Sequence, residues 1–171
     1  MIEMELVGVR VELPANQPIV LLKERDGTRF LPIWIGAVEA TAIAFALQGV
    51  DTPRPLTHDL FVDVLQSLDV ELVAVHVTQL KDGTFYAELK LLRAGEPHTV
   101  SARPSDAIAL ASRMGEIPIL SAEAVLDEAG LEIEDDDEGG GSTASGGDDE
   151  EEVRQFRAFL DEVTPEDFKE Q

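Results

Sequence analysis

The run Arg103-Pro104-Ser105-Asp106-Ala107-Ile108-Ala109-Leu110-Ala111 decides how the chain folds. Its first half is a helix start. Proline is tolerated in the first helical turn, and Ser or Asp beside it can accept bonds from the orphan backbone donors. Its second half is apolar on every side, which predicts a helix surrounded by protein. The run therefore predicts a buried helix whose mouth carries a cation, a hydroxyl and a carboxylate. Such a group is either a site or a firm cap.

Working outward, His98 to Ala102 reads as a short strand feeding this helix, with a turn at Ala94 to Pro97 before it. Val70 to Leu80 is a Val-rich strand, Asp82-Gly83 is a hairpin turn, and the return strand alternates. There Phe85, Ala87, Leu89 and Leu91 are expected inside, with Tyr86, Glu88 and Lys90 outside. Nearer the start, Val7, Val9, Val11 and Leu13 alternate with Gly8, Arg10 and Glu12, a half-buried strand. Asp26-Gly27 joins two further β-rich runs, and Pro32 in the second predicts an edge or a bulge. Gly36 to Leu47 reads as a core helix with Glu39 its only charge. Thr57 to Leu68 is amphipathic, with Leu60, Phe61, Val64, Leu65 and Leu68 in one stripe. Ile117 to Leu120 is a short strand, and Ser121 is expected to cap a small helix ending near Ala129. Hairpins mixed with three or four helices predict an α+β domain over residues 1–129, with a mixed, largely antiparallel sheet and buried helices.

The formal charge of −22 is unevenly placed. Residues 1–120 hold 16 acidic and 10 basic residues, net −6, and residues 121–171 hold 19 and 3, net −16. No basic patch of the DNA-coating kind is present. An acidic nuclease is not excluded, because a divalent ion reverses the local field. The absence of cysteine removes disulfides, thiolate nucleophiles and Cys-based zinc sites. No stretch has the roughly 18–20 apolar residues that span a bilayer, and the N-terminus lacks a signal-peptide pattern. A cytoplasmic protein without a membrane partner is expected. Residues 130–152, with EDDDE, GGGSTASGG and DDEEE, read as a disordered acidic linker. Beyond it Val153, Phe156, Phe159, Leu160 and Val163 recur at helical spacing. Residues 153–171 thus predict a short tethered helix that docks on its own body, another subunit or a partner protein, since such a helix is unstable alone. That need, with apolar elements in excess of one small sheet, suggests a homo-oligomer.

The opening run has an echo in Arg54-Pro55-Leu56-Thr57-His58-Asp59, again at a helix start. Two helix N-termini, each with an arginine, suit phosphate: backbone donors, a positive dipole end and a bidentate guanidinium. In this reading Arg54, Thr57, Arg103 and Ser105 grip phosphate. Asp59, Asp106 and Glu39 hold a divalent metal such as Mg²⁺ or Mn²⁺, and His58 serves as general acid or base. Ser, Thr and Asp are also ordinary caps, Arg–Asp pairs commonly brace loops, and Glu39 near a helix start is favoured by the dipole. Glu88-Leu89-Lys90 has the carboxylate-x-lysine form of some metal nucleases but also that of an exposed strand face. His76 and His98 read as structural.

Four collinear motifs carry a resemblance: FLPIWIGAVEATAIAFALQG, PRPLTHDLFVDVLQSL, DGTFYAELKL and ARPSDAIALASR. Over roughly residues 1–128 the chain resembles the bifunctional nuclease family, formerly a domain of unknown function. The resemblance implies an α+β fold, cleavage of both DNA and RNA, and a divalent metal. Its most characteristic polar positions match Glu39, Arg54, Thr57, His58, Asp59, Arg103, Ser105 and Asp106. Many members have an aspartate where this chain has Ser101, which would weaken the site if that aspartate held metal. The ending FRAFLDEVTPEDF resembles the short tail of bacterial members. The rival expectation is a non-enzymatic anion-binding or regulatory interaction module.

Overall fold

A computed structural model of the chain describes residues 1–12 and 16–132. The expected linker beyond Glu132 and the expected docking helix lie outside the described residues. Eight strands form one sheet in the order β6-β5-β4-β7-β1-β2-β3-β8. The strands are β1 (Ile2–Glu12), β2 (Gln17–Glu24), β3 (Arg29–Trp34), β4 (Val70–Lys81), β5 (Thr84–Arg93), β6 (Glu96–Ala102), β7 (Ile119–Ser121) and β8 (Leu131–Glu132). Every neighbouring pair is antiparallel except β4 with β7. The helices are α1 (Ala37–Gln48), α2 (Thr57–Ser67), α3 (Pro104–Ala111) and α4 (Glu123–Ala129). The architecture is the expected α+β class with a mixed, largely antiparallel sheet.

Local chemistry explains most of the elements. Asp82 and Gly83 both take positive φ (50° and 74°), which is the two-residue turn whose twist matches a β-hairpin. Ala94 and Gly95, at 51° and 81°, close the next hairpin in the same way. Along β5 the expected alternation holds, with Ala87, Leu89 and Leu91 buried and Tyr86 exposed. Among the described residues Pro32 lies where β3 has no outer neighbour, because β8 reaches only Arg29 and Phe30.

Five expectations are corrected. A bulge between Leu6 and Gly8 interrupts β1, so the face parity changes along it. Met4 is buried and Leu6 and Val9 pack on the core, while Val7 is 44% exposed. Ser121 does not cap α4. It is the last residue of β7 and fully buried, and the N-cap is Ala122. Helix α1 is not a core helix all round: it buries Ala40, Ile43 and Ala44 and exposes Val38 and Leu47. Most of the expected α2 stripe faces outward: of its members only Leu65 goes in, together with Val62 from outside it. The apolar residues Leu60, Phe61, Val64 and Leu68 remain exposed. A helix lying on one side of a sheet can cover only one stripe, and here the better-packed stripe is the narrower one. At the other end, Leu131–Glu132 pair with Phe30 and Arg29, so two residues of the expected linker belong to the sheet.

The buried-helix reading of α3 holds. All seven of its residues from Pro104 to Ala111 other than Asp106 are buried. It packs on α1, α2, β4 and β5, and Ile108 and Leu110 enter the same core as Val75, Leu89 and Leu126. Full burial of one such side chain stabilises by about 1.5–3 kcal/mol. Asp106 is the residue through which this rail reaches the surface.

Candidate functional site

Three helix starts meet at Arg103. Its Nε and one Nη donate to Asp106 Oδ2 at 2.7 Å and Oδ1 at 3.0 Å, a two-pronged contact. The other Nη lies 2.9 Å from Glu39 Oε1, in the first turn of α1. His58, in the first turn of α2, brings Nε2 to 3.3 Å from Asp106 Oδ1. The result is a chain of carboxylate, guanidinium, carboxylate and imidazole drawn from α1, α3 and α2. Exposure is graded: the side chain of Arg103 is 65% exposed, Asp106 33%, Glu39 18% and His58 16%. The cation therefore faces solvent and its partners stand behind it.

Burial works to raise the Asp106 pKa, but hydrogen bonds from Arg103 and His58 outweigh it and hold the carboxyl below its ordinary value. Arg103 is driven further towards its charged form, chiefly by its bond to Asp106. Two carboxylates on one guanidinium leave the group one net negative charge. Among the described residues three of the five guanidinium N–H groups are used, which leaves two without a partner there.

The structure does not bring the two Arg-Pro starts together as equals. Arg54 is exposed and forms no ion pair among the described residues. Thr57 is exposed at the first position of α2. Ser105 is 6% exposed and lines a cleft described below. Asp59 turns away from Arg103. Its Oδ2 accepts the Leu56 N–H at 2.9 Å, and its Oδ1 accepts Arg113 Nε at 2.5 Å. The Arg113 bond first, against burial, holds the Asp59 carboxyl below its usual range. Neither α2 nor α3 carries a side-chain bond from its N-cap residue, because these are Leu56 and Arg103.

Of the three expected metal ligands, Glu39 and Asp106 reach one point and Asp59 does not. Arg103 fills the space a divalent ion would need between the two carboxylates. Among the described residues no three His, Cys, Asp or Glu side chains are grouped to hold an ion. As arranged, the donor set fits a guanidinium bridge and not a resident metal.

Beside Arg103 opens a cleft of about 460 Å³, lined among others by Trp34, Gly36, Thr84, Phe85 and Pro104. Neither aromatic was a sequence candidate, nor was Arg113. The signal available for Trp34 was an isolated tryptophan two residues before a helix-opening glycine. Arg113 had none, since its partner is 54 positions away.

An α+β domain with three helix starts joined through one exposed arginine is the class this geometry defines. The chain belongs to the bifunctional nuclease domain family, whose model matches residues 20–134. An uncharacterized protein of Mycobacterium tuberculosis is 51% identical over 167 residues, covering 98% of both chains. Bifunctional nuclease 1 of Arabidopsis thaliana is 31% identical over 109 residues, 61% of this chain and 33% of the plant protein. Bifunctional nuclease 2 of the same plant is 28% identical over 125 residues, 71% and 38%.

Proposed function

We propose that the protein is a nuclease that hydrolyses phosphodiester bonds of DNA and RNA at the Glu39–Arg103–Asp106–His58 group. Family membership supports a nuclease role in general. The observation that carries the site is the exposed Arg103, fixed by two carboxylates with two N–H groups to spare. A guanidinium held this way needs no reorganisation to receive a phosphate oxygen, and it stabilises charge developing there. Asp106 orients the His58 ring through Nε2, and the other ring nitrogen can take a proton from water or give one to the leaving oxygen. Glu39 and Asp106 are positioning residues for the arginine. The Mg²⁺ or Mn²⁺ requirement that the family resemblance implies is read in the assay.

The test is cleavage of single- and double-stranded DNA and RNA by purified protein with Mg²⁺, Mn²⁺ or chelator. Arg103→Ala should lower the rate about 10²–10³-fold, and His58→Ala about 10²–10⁴-fold. Unchanged rates in folded variants would sink the site assignment. No cleavage under any of these conditions would sink the enzyme.

A second reading has its own observation. Asp106 grips Arg103 with both oxygens, as a brace would. A binding or regulatory module would bind nucleic acid or another anion with Arg103 and cleave nothing. Self-association is part of the same proposal, supported by the outward apolar stripe of α2.

A further inference from the structure

We infer that the cleft beside Arg103 seats a phosphomonoester, the phosphorylated end of a strand or a free nucleotide, on the starts of α1 and α3. This deepens the nuclease reading above and rests on it for the kind of molecule that carries the phosphate. The anchor is Ser105, which is 6% exposed and whose hydroxyl has no hydrogen-bond partner among the described residues. Burying a hydroxyl without a partner is costly. No side-chain oxygen among the described residues is both sealed off and unpartnered, so this hydroxyl opens into the cleft that Ser105 lines. Two helix starts border the same cleft, α1 through Gly36 and Ala37 and α3 through Arg103, Pro104 and Ser105. Neither N-cap residue bonds its own helix with a side chain. The N–H groups of Ala37, Val38 and Glu39, and those of Ser105 and Asp106, have no acceptor among the described residues. The start of α2 is different, because Asp59 takes the Leu56 N–H there.

Charge points the same way. Arg103 is the one charged residue among the described residues that line the cleft, in a chain whose formal charge is −22. Each helix start carries roughly half a positive charge, and the two together offset the net negative charge of the Glu39–Arg103–Asp106 group. The donors are the Ser105 hydroxyl, the two Arg103 N–H groups without a partner and the first-turn N–H groups. A phosphodiester within a strand has only its two non-bridging oxygens to offer them. A monoester has three acceptor oxygens and most of a second negative charge, so it uses more of these donors. The volume, about 460 Å³, lies in the range of small-molecule sites, roughly 300–1,000 Å³, and leaves room for the attached sugar.

The experiment follows backbone amide signals of ¹⁵N-labelled full-length protein, in chelator at fixed ionic strength. The ligands are thymidine 5′-monophosphate, thymidine, and a 12-nucleotide oligo(dT) with either a phosphate or a hydroxyl at its 5′ end. The monophosphate should move the signals of Ala37, Ser105 and Asp106 to saturation, and thymidine should leave them in place. Ser105→Ala should weaken monophosphate binding about 10- to 150-fold, the usual value of a hydrogen bond to a charged group. Its urea midpoint should stay at the wild-type value, because the hydroxyl has no protein partner to lose. A phosphorylated oligomer that binds at least about 10-fold tighter than the hydroxyl-ended one assigns the seat to strand ends. Saturation by the monophosphate with no such preference assigns it to free nucleotides. Equal shifts from thymidine, shifts only away from both helix starts, or affinity in Ser105→Ala within about 2-fold of wild type overturns the seat. Binding at the seat without cleavage under any metal condition supports the seat and removes the nuclease. Cleavage with none of these shifts does the reverse.

Discussion

Replacing Asp59 by alanine should cost stability rather than chemistry. The Arg113 side chain is 9% exposed, and its hydrogen bonds go to Asp59 and to the Ala109 carbonyl. Breaking a buried pair by removing one partner costs about 3–5 kcal/mol. Asp59 is itself 36% exposed, so water can enter the vacated space and reduce that to about 2 kcal/mol. The lost acceptor for the Leu56 N–H adds about 1 kcal/mol, the usual value of a helix cap. Asp59→Ala should therefore lose about 3 kcal/mol in urea unfolding followed by circular dichroism, moving the midpoint by more than about 1 M for ordinary slopes. Combining it with Arg113→Met should recover about 1–2 kcal/mol, because no orphaned charge is left. The folded-state pKa of Asp59 lies below its unfolded value, so the contribution is present above about pH 4 and fades as pH falls through the folded value. The argument fails if Asp59→Ala keeps its stability within about 0.5 kcal/mol and abolishes cleavage. Asp59 would then act on substrate.

Two further outcomes follow from groups outside the charge cluster. Burial first, and then Lys90, holds the His76 imidazole below its ordinary pKa, so the fold favours the neutral ring. Its contribution is present above about pH 6.5 and is lost as pH falls through the folded value, and His76→Gln should flatten that part of the stability–pH curve. On α2, Leu60, Phe61, Val64 and Leu68 are 44–54% exposed, and Leu56 continues the stripe. Sedimentation should show wild-type protein self-associated and Leu60→Glu with Phe61→Glu shifted to monomer; a wild-type monomer at tens of micromolar refutes that surface.

The parts of the fold that were legible in the sequence are those with a local cause. Asp82-Gly83 announces a hairpin because its backbone needs positive φ, and Ala107 to Ala111 announce burial because no face is polar. The misread parts have distant causes. The β1 bulge is set by pairing with β2, which no alternation in residues 4–13 encodes. The stripe on α2 was legible as a stripe, but which side meets β4 is decided by Val62 and Leu65 fitting the sheet. The site divides in the same way. Arg103 and Asp106 are three apart on one helix start, so their contact is local. That Glu39 and His58 join them depends on α3 packing against both α1 and α2. That Asp59 leaves for Arg113 depends on where α2 starts along α3. Residue type alone made Asp59 and Asp106 equivalent, and tertiary packing separates them.

The same logic bears on Ser101, where the family resemblance carries the expectation of an aspartate. Ser101 is opposite Glu88 on β5, and Glu88 is opposite His76 on β4. Its neighbour Ala102 is opposite the buried Ala87 and packs on the core, so Ser101 lies on the sheet face away from that core. That outer row holds Glu88, ion-paired to Lys90 at 2.6 Å, and Lys90 also reaches Thr99 at 3.3 Å. An aspartate at this place would join the Glu88–Lys90 row and not the Glu39–Arg103–Asp106 bridge. The departure at Ser101 therefore changes the charge of the outer row and leaves the bridge's own contacts as they are. The helix starts at Arg103 and His58 then form a group separate from that row, and the cleft that Arg103 lines opens beside this group.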